Sequence, residues 1–96
     1  MADQTLYKAF QVNIYGRVTG VGFRFFALRR AGERGQIKGW IRNAACDQVE
    51  AVCQGNEAEL RVFLHDLSQG PDWSRVDDIK INKIPLSDQL KDFHIR

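Results

Sequence analysis

The stretch from Gly16 to Arg24, Gly-Arg-Val-Thr-Gly-Val-Gly-Phe-Arg, is the part of this sequence best equipped for chemistry. It stands between an alternating apolar segment and a run of helix formers. A helix N-terminus presents unpaired amide N–H groups and a partial positive charge, both suited to an anion. Glycines let successive amides turn inward to form a concave nest with no Cβ in the way. Arg24, at the helix entry, adds a forked and permanently charged donor that matches two phosphate oxygens. By residue chemistry the stretch is a candidate phosphate cradle; a plain glycine turn beside one solvated arginine would look the same.

Sharper motifs are missing. No Gly-Lys-Ser/Thr occurs, so the stretch is not a P-loop. Phe25 stands where the third glycine of a dinucleotide fingerprint would be. The Cys-to-Arg spacing of a cysteine phosphatase meets Val52 after Cys46 and Glu59 after Cys53. His65 and His94 have no ligand-spaced Cys or His nearby, which argues against zinc and for surface or structural roles.

The elements that would position these groups follow from periodicity. Lys8 to Tyr15 alternates, with Phe10, Val12 and Ile14 on one face, as a strand covered on one side does. Gly16 to Gly22 is too rich in glycine for a regular element and reads as a loop. Phe23 to Arg34 reads as a helix closed by Gly35. Ile37 to Asn43 and Gln48 to Gln54 read as a hairpin about Ala44–Asp47. Asn56 to Leu67 carries the helical stripe Leu60, Phe63, Leu64, Leu67, and Gly70-Pro71 ends it. Val76 to Ile84 alternates with a break at Asp77-Asp78, and Lys91 to Arg96 offers a short last strand. The order predicts an α+β fold, the ferredoxin-like split βαβ sandwich (βαββαβ), with two helices on one face of an antiparallel sheet. Such a fold does not choose a function.

A sequence of 96 residues suffices for one domain, with its core over residues 8–96. A net charge of +2 suits a small anionic ligand and gives no basis for nucleic acid or membrane binding. No apolar run nears the roughly 20 residues of a membrane span, and Met1 to Lys8 lacks the pattern of a signal peptide. Cys46 and Cys53, on an extended stretch, would lie roughly 23 Å apart, beyond disulfide reach. Unpaired thiols point to a cytoplasmic location.

With these residues in view, the sequence resembles the acylphosphatase family. Gly16 to Arg24 is similar to the family's Gly-x-Val-x-Gly-Val-x-Phe-Arg loop, and Gly39-Trp40-Ile41-Arg42-Asn43 to its Gly-Trp-Val-x-Asn strand. The similarity runs on through Gln54-Gly55, Gly70-Pro71 and Phe93 to Arg96, so it spans about Lys8 to Arg96. The resemblance implies that the backbone amides of Thr19, Gly20, Val21, Gly22 and Phe23 hold a phosphate while Arg24 binds its oxygens. It implies that Asn43 holds the attacking water. The substrate would be a small-molecule acyl phosphate, with inorganic phosphate as product and inhibitor, no metal and no cofactor. Thr19 stands where many members have Gln, and Ala44 where some carry a hydroxyl residue. Only the Thr19 amide is asked to bind, so that departure bears on tuning more than on activity, whereas Ala44 implies the loss of a secondary water contact.

The chemistry needs few groups. A carboxylate leaves without protonation, and phosphoryl transfer depends mostly on positioning and charge stabilisation. Taken alone, Asn43 is an ordinary hairpin-end residue bonding its own backbone. Trp40 and the pair Phe25-Phe26 read as packing residues, and Arg17, Arg29, Arg30 and Arg34 as solvated charges, Arg17 with some effect on local potential. Two rivals stand beside this reading. The string Gly20 to Phe26 has a passing likeness to an RNA-binding aromatic motif, although that motif belongs on a central strand. A non-catalytic anion- or partner-binding domain would use the same residues. A monomer is the default.

Overall fold

The computed structural model describes residues 6–96; the reading of the N-terminal stretch therefore lies largely outside the described residues. In chain order the elements are β1 (Tyr7–Arg17), α1 (Phe23–Glu33), β2 (Lys38–Asn43), β3 (Gln48–Asn56), α2 (Glu57–Gln69), β4 (Arg75–Ile84) and β5 (Phe93–Ile95). The strands form one sheet in the order β4-β1-β3-β2-β5. This is the α+β split βαβ arrangement expected, with one correction. β5 runs parallel to β2, so the sheet is mixed and not wholly antiparallel. The reason is the path of the chain after β4. Residues 85–92 cross the end of the sheet, where Gln54 at the end of β3 takes both Ser87 backbone groups, at 2.8 and 3.0 Å. The chain therefore enters β5 beside the start of β2, and the Gly39 N–H reaches the Asp92 carbonyl at 2.8 Å.

The predicted alternation places the core. Val12 and Ile14 of β1, Ile41 of β2, and Val49, Ala51 and Cys53 of β3 are fully buried against Phe23, Ala27, Leu60, Phe63 and Leu67 of the helices. Each large apolar side chain so buried contributes about 1.5–3 kcal/mol before entropy is counted. Phe10 lies only partly covered at the margin of this cluster. In α1 the buried positions are Phe23, Phe26, Ala27 and Ala31, one face of the helix. Phe25 lies off that face and is 69% exposed, so only the second member of the Phe25-Phe26 pair packs inward.

Strand β1 continues through Gly16 and Arg17, which the glycine count had assigned to the loop. A register shift at Tyr15/Gly16 lets both residues pair with β4, Gly16 with Val76 and Arg17 with Arg75. Asp77 is the extra residue of that bulge, which accounts for the break in alternation at Asp77-Asp78. Helix α2 begins one residue later than its stripe suggested, because Asn56 caps it, its side chain accepting from the Ala58 N–H at 2.8 Å. Arg34 is the C-cap of α1 and not part of it. It is no merely solvated charge either: its guanidinium donates to Asp66 of α2 at 2.9 Å and ties the two helices. Arg30 likewise pairs with Glu33, at 3.2 Å.

Trp40 stays half-exposed on the sheet face away from the helices, with the guanidiniums of Arg42 and Arg96 at 5.2 and 4.4 Å from its ring. Among the described residues, no helix is long and apolar enough to cross a membrane.

Candidate active site

The strand directions bring the two sequence motifs to one end of the sheet. β1 and β2 both pair antiparallel with the intervening β3, so they run the same way. Ile14 and Asn43 both face Val49 from opposite sides of β3. Two strand spacings, about 9.6 Å, therefore separate Asn43 from the last part of β1, which leads directly into the glycine loop.

Apolar anchors hold that loop. Val18 and Phe23 are each 1% exposed, and Val21 packs against the core between them. Phe23 is braced from the far side by the loop after α2, where a Cβ on Gly70 would lie 3.0 Å from its ring. The backbone between the anchors turns outward. Gly20 and Gly22 have φ of 71° and 78°, left-handed conformations on either side of Val21, which is not among the positive-φ residues. Such alternation points successive N–H groups into one concavity. A Cβ built on Gly20 or Gly22 meets nothing within 4 Å, so the space in front of them is open.

The hydrogen bonds show the consequence. The Val18 N–H donates to the Gly16 carbonyl at 2.9 Å, and the Phe26 N–H to the Gly22 carbonyl at 3.0 Å. Among the described residues, the amides from Thr19 through Phe25 donate to no protein acceptor. Gly22 caps α1 without a side-chain hydrogen bond, and no acidic residue stands in the first turn. Arg24, on that turn, is half-buried, and its guanidinium has no ion-pair partner among the described residues.

Asn43 is the last residue of β2 and exposed. The hairpin after it is closed by backbone alone, the Ala44 N–H to the Gln48 carbonyl at 2.9 Å and the Gln48 N–H to Ala45 at 3.1 Å. Asp47 takes a left-handed φ of 58° to make the turn. The Asn43 carboxamide takes no part in that closure, contrary to the ordinary habit of a hairpin-end asparagine.

The other titratable groups stand apart. Cys53 is buried, which pushes its thiol up to about 12, whereas Cys46 is exposed on the hairpin turn. His65 is exposed on α2, and His94 lies exposed beside Asp92, 3.2 Å away. Among the described residues no three His, Cys, Asp or Glu side chains cluster as a metal site would need. The Gly20–Phe26 string occupies a loop and the first turn of a helix, where no aromatic platform on a central strand can form.

The residue-level reading passed over a polar groove of about 550 Å³ at this same end, lined by Tyr15, Arg17, Cys46, Asp47, Arg75 and Asp77. Arg75 donates to both Asp77 oxygens, at 2.9 and 3.3 Å. That bond holds the Asp77 carboxyl below its ordinary value and raises the Arg75 guanidinium. The break at Asp77-Asp78 was its one trace in the sequence.

Known proteins resemble this chain in sequence and in fold. The profile of the acylphosphatase family matches residues 10–95. The chain is 42% identical over 90 residues to an acylphosphatase of Leuconostoc mesenteroides, covering 93% of this chain and 98% of that one. Among solved structures it is similar to acylphosphatase from Bacillus subtilis, with TM-score 0.87, 30% identity and coverage of 95% and 99%. It is also similar to an acylphosphatase from Coxiella burnetii, with TM-score 0.88, 27% identity and coverage of 99% and 100%.

Proposed function

The chain belongs to the acylphosphatase family, and we propose that it hydrolyses the carboxyl–phosphate bond of small acyl phosphates through the amides of residues 19–23, Arg24 and Asn43. The observation that carries this reading is the run of unpartnered amides from Thr19 to Phe25 closing on an unpaired arginine. The first amides of any helix lack intrahelical partners, and at α1 neither a side-chain cap nor an acidic residue answers them. A phosphoryl group supplies acceptor oxygens for the amides and the charge that the helix end and Arg24 lack.

In the proposed step, a water held by the Asn43 carboxamide attacks phosphorus from the side opposite the acyl oxygen. The P–O bond to the acyl group breaks and the carboxylate leaves with the electron pair. The water's proton passes to a phosphoryl oxygen, so no protein base is required. Equatorial charge in the transition state falls on the amides and Arg24, and each such preorganised donor is worth about 10²–10³ in rate. Thr19 contributes only its N–H, and its departure from glutamine leaves that donor in place. One chain supplies every group used, so the proposal is for a monomer; an exposed, unpaired Cys46 suits the cytoplasm.

Benzoyl phosphate hydrolysis, followed in the ultraviolet with and without EDTA and beside Asn43→Ala, tests this. Chelator-resistant turnover, inhibited competitively by inorganic phosphate and lost in Asn43→Ala, is expected. Phosphate binding without turnover would leave an anion-binding domain in place of an enzyme.

A further inference from the structure

We propose that Asp47, in the turn between β2 and β3, is a positioning residue for the reaction. In its left-handed conformation its carbonyl fastens the hairpin that carries Asn43 to the root of the phosphate loop. This rests on the reading above in which Asn43 holds the attacking water.

The first argument is attachment. The two motifs lie on different strands, and an in-line attack needs a fixed separation between them. The phosphate loop has anchors of its own. Val18 and Phe23 are buried in the core, and Gly16, where the loop leaves β1, pairs with Val76 of β4 on its outer side. Asn43 is held less completely. β5 follows β2 only as far as Ile41, whose carbonyl accepts from the Arg96 N–H at 2.9 Å. Beyond that point Asn43 has β3 as its strand neighbour, opposite Val49, and the turn follows at once. The β1–β3 ladder ends with Tyr15 opposite Gln48. One bond carries it further: the Gly16 N–H donates to the Asp47 carbonyl at 3.1 Å. The Gly16 carbonyl in turn accepts from the Val18 N–H at 2.9 Å. Gly16 thus spends both backbone groups joining the turn after Asn43 to the start of the phosphate loop.

The second argument is strain. Asp47 has φ of 58°, and among the described residues it is the one non-glycine with a positive φ. The Gln48 N–H closes the turn on the Ala45 carbonyl, so Asp47 fills the left-handed position that glycine usually takes in such hairpins. Strained backbone of this kind persists where the surroundings over-determine it, and it gathers at functional sites. The Asp47 carboxylate has a separate role, since its charge helps to raise the Arg75 guanidinium. Substitution separates the two. Asparagine and glycine keep the conformation and drop the charge, whereas a β-branched valine loses both.

The experiment measures kcat on benzoyl phosphate and the inhibition constant of inorganic phosphate in the wild type, Asp47→Asn, Asp47→Gly and Asp47→Val. Each is assayed at a temperature where circular dichroism shows it folded. Asp47→Val should lower kcat about tenfold while phosphate inhibits as it does the wild type, because Asn43 shifts and the phosphate loop does not. Asp47→Asn and Asp47→Gly should recover the kcat that valine loses. If Asp47→Val does not fold, Asp47→Ala replaces it, with a fall of about threefold expected. An undiminished kcat in the valine or alanine variant overturns the proposal. So does an equal fall in Asp47→Gly, or phosphate affinity that weakens in step with kcat, which would mark a general loss of structure. Absence of wild-type turnover sinks the acyl-phosphate reading, and turnover surviving in Asn43→Ala sinks the role of Asn43; this proposal falls with either. An active wild type silenced by Asn43→Ala but indifferent to Asp47→Val overturns this proposal alone, so the failures stay distinct.

Discussion

The two helices begin in opposite ways. Helix α2 is capped by the Asn56 side chain, and Glu57 and Glu59 in its first turn answer the positive end of the dipole. Helix α1 begins at a left-handed glycine with no side-chain cap and no acid in its first turn, and it adds a cation there, Arg24. A cap is worth about 1 kcal/mol and a favourable terminal charge about 0.3–1 kcal/mol. The chain can evidently satisfy a helix end with its own groups. At α1 it leaves the end open and increases the positive charge. The same physics that makes one end stable makes the other the end that the proposed phosphate would complete.

This contrast is open to attack. The largest expected effect is that of Arg24→Gln, which should lower kcat/KM on benzoyl phosphate by about 10²–10³ or more. It should also abolish the rise in melting temperature that saturating phosphate gives the wild type. Retention of either would mean that the open end is not the phosphate site. Next is Phe25→Glu, which places on the exposed side of α1 the acid that α2 already has. Stability should rise by about 0.3–1 kcal/mol in urea unfolding while KM for the acyl phosphate increases several-fold. A gain in stability with no change in KM would separate the helix end from substrate binding.

Asn56→Ala removes the cap of α2 and should cost about 1 kcal/mol with kcat/KM unchanged. Lost activity in this variant would make the two ends parts of one site. The smallest effect is expected at Asp77, outside both ends. Arg75 lowers its carboxyl below the ordinary 3.8. Its contribution to stability is thus present above that value and lost as pH falls through the lower folded value. Asp77→Asn should make the decline of melting temperature below about pH 4 slightly shallower, with neutral-pH activity on benzoyl phosphate retained.

The readable parts of the sequence were those governed by neighbours along the chain. The stripe Leu60, Phe63, Leu67 gave α2, and the alternation Val12, Ile14 gave the buried face of β1, because both depend on the local repeat. Phe25 was misjudged because adjacent helical residues point in different directions, and composition does not say which one faces inward. Gly16 and Arg17 extended a strand for a reason outside their own segment, the bulge on β4. The parallel course of β5 depended on a partnership between Gln54 and Ser87 across the end of the sheet.

Glycine shows how far a motif can be read. Gly39 resembles Gly20 as a motif glycine, yet a Cβ on Gly39 would collide with the Val52 carbonyl oxygen, whereas one on Gly20 meets open space. The sequence marks both as fixed points without saying that one serves strand packing and the other leaves room for a ligand.

By itself the sequence determined the order of elements, the core faces and the presence of a glycine loop running into an arginine, since each is a matter of residue type and local period. Tertiary structure decided which segments meet. It set Asn43 on the far side of β3 from the loop and left the amides of residues 19–25 without protein acceptors. It also placed Arg17 opposite Arg75 and paired Arg75 with Asp77. Those outcomes rest on register, strand direction and the pairing of groups distant in sequence, and no local repeat encodes them.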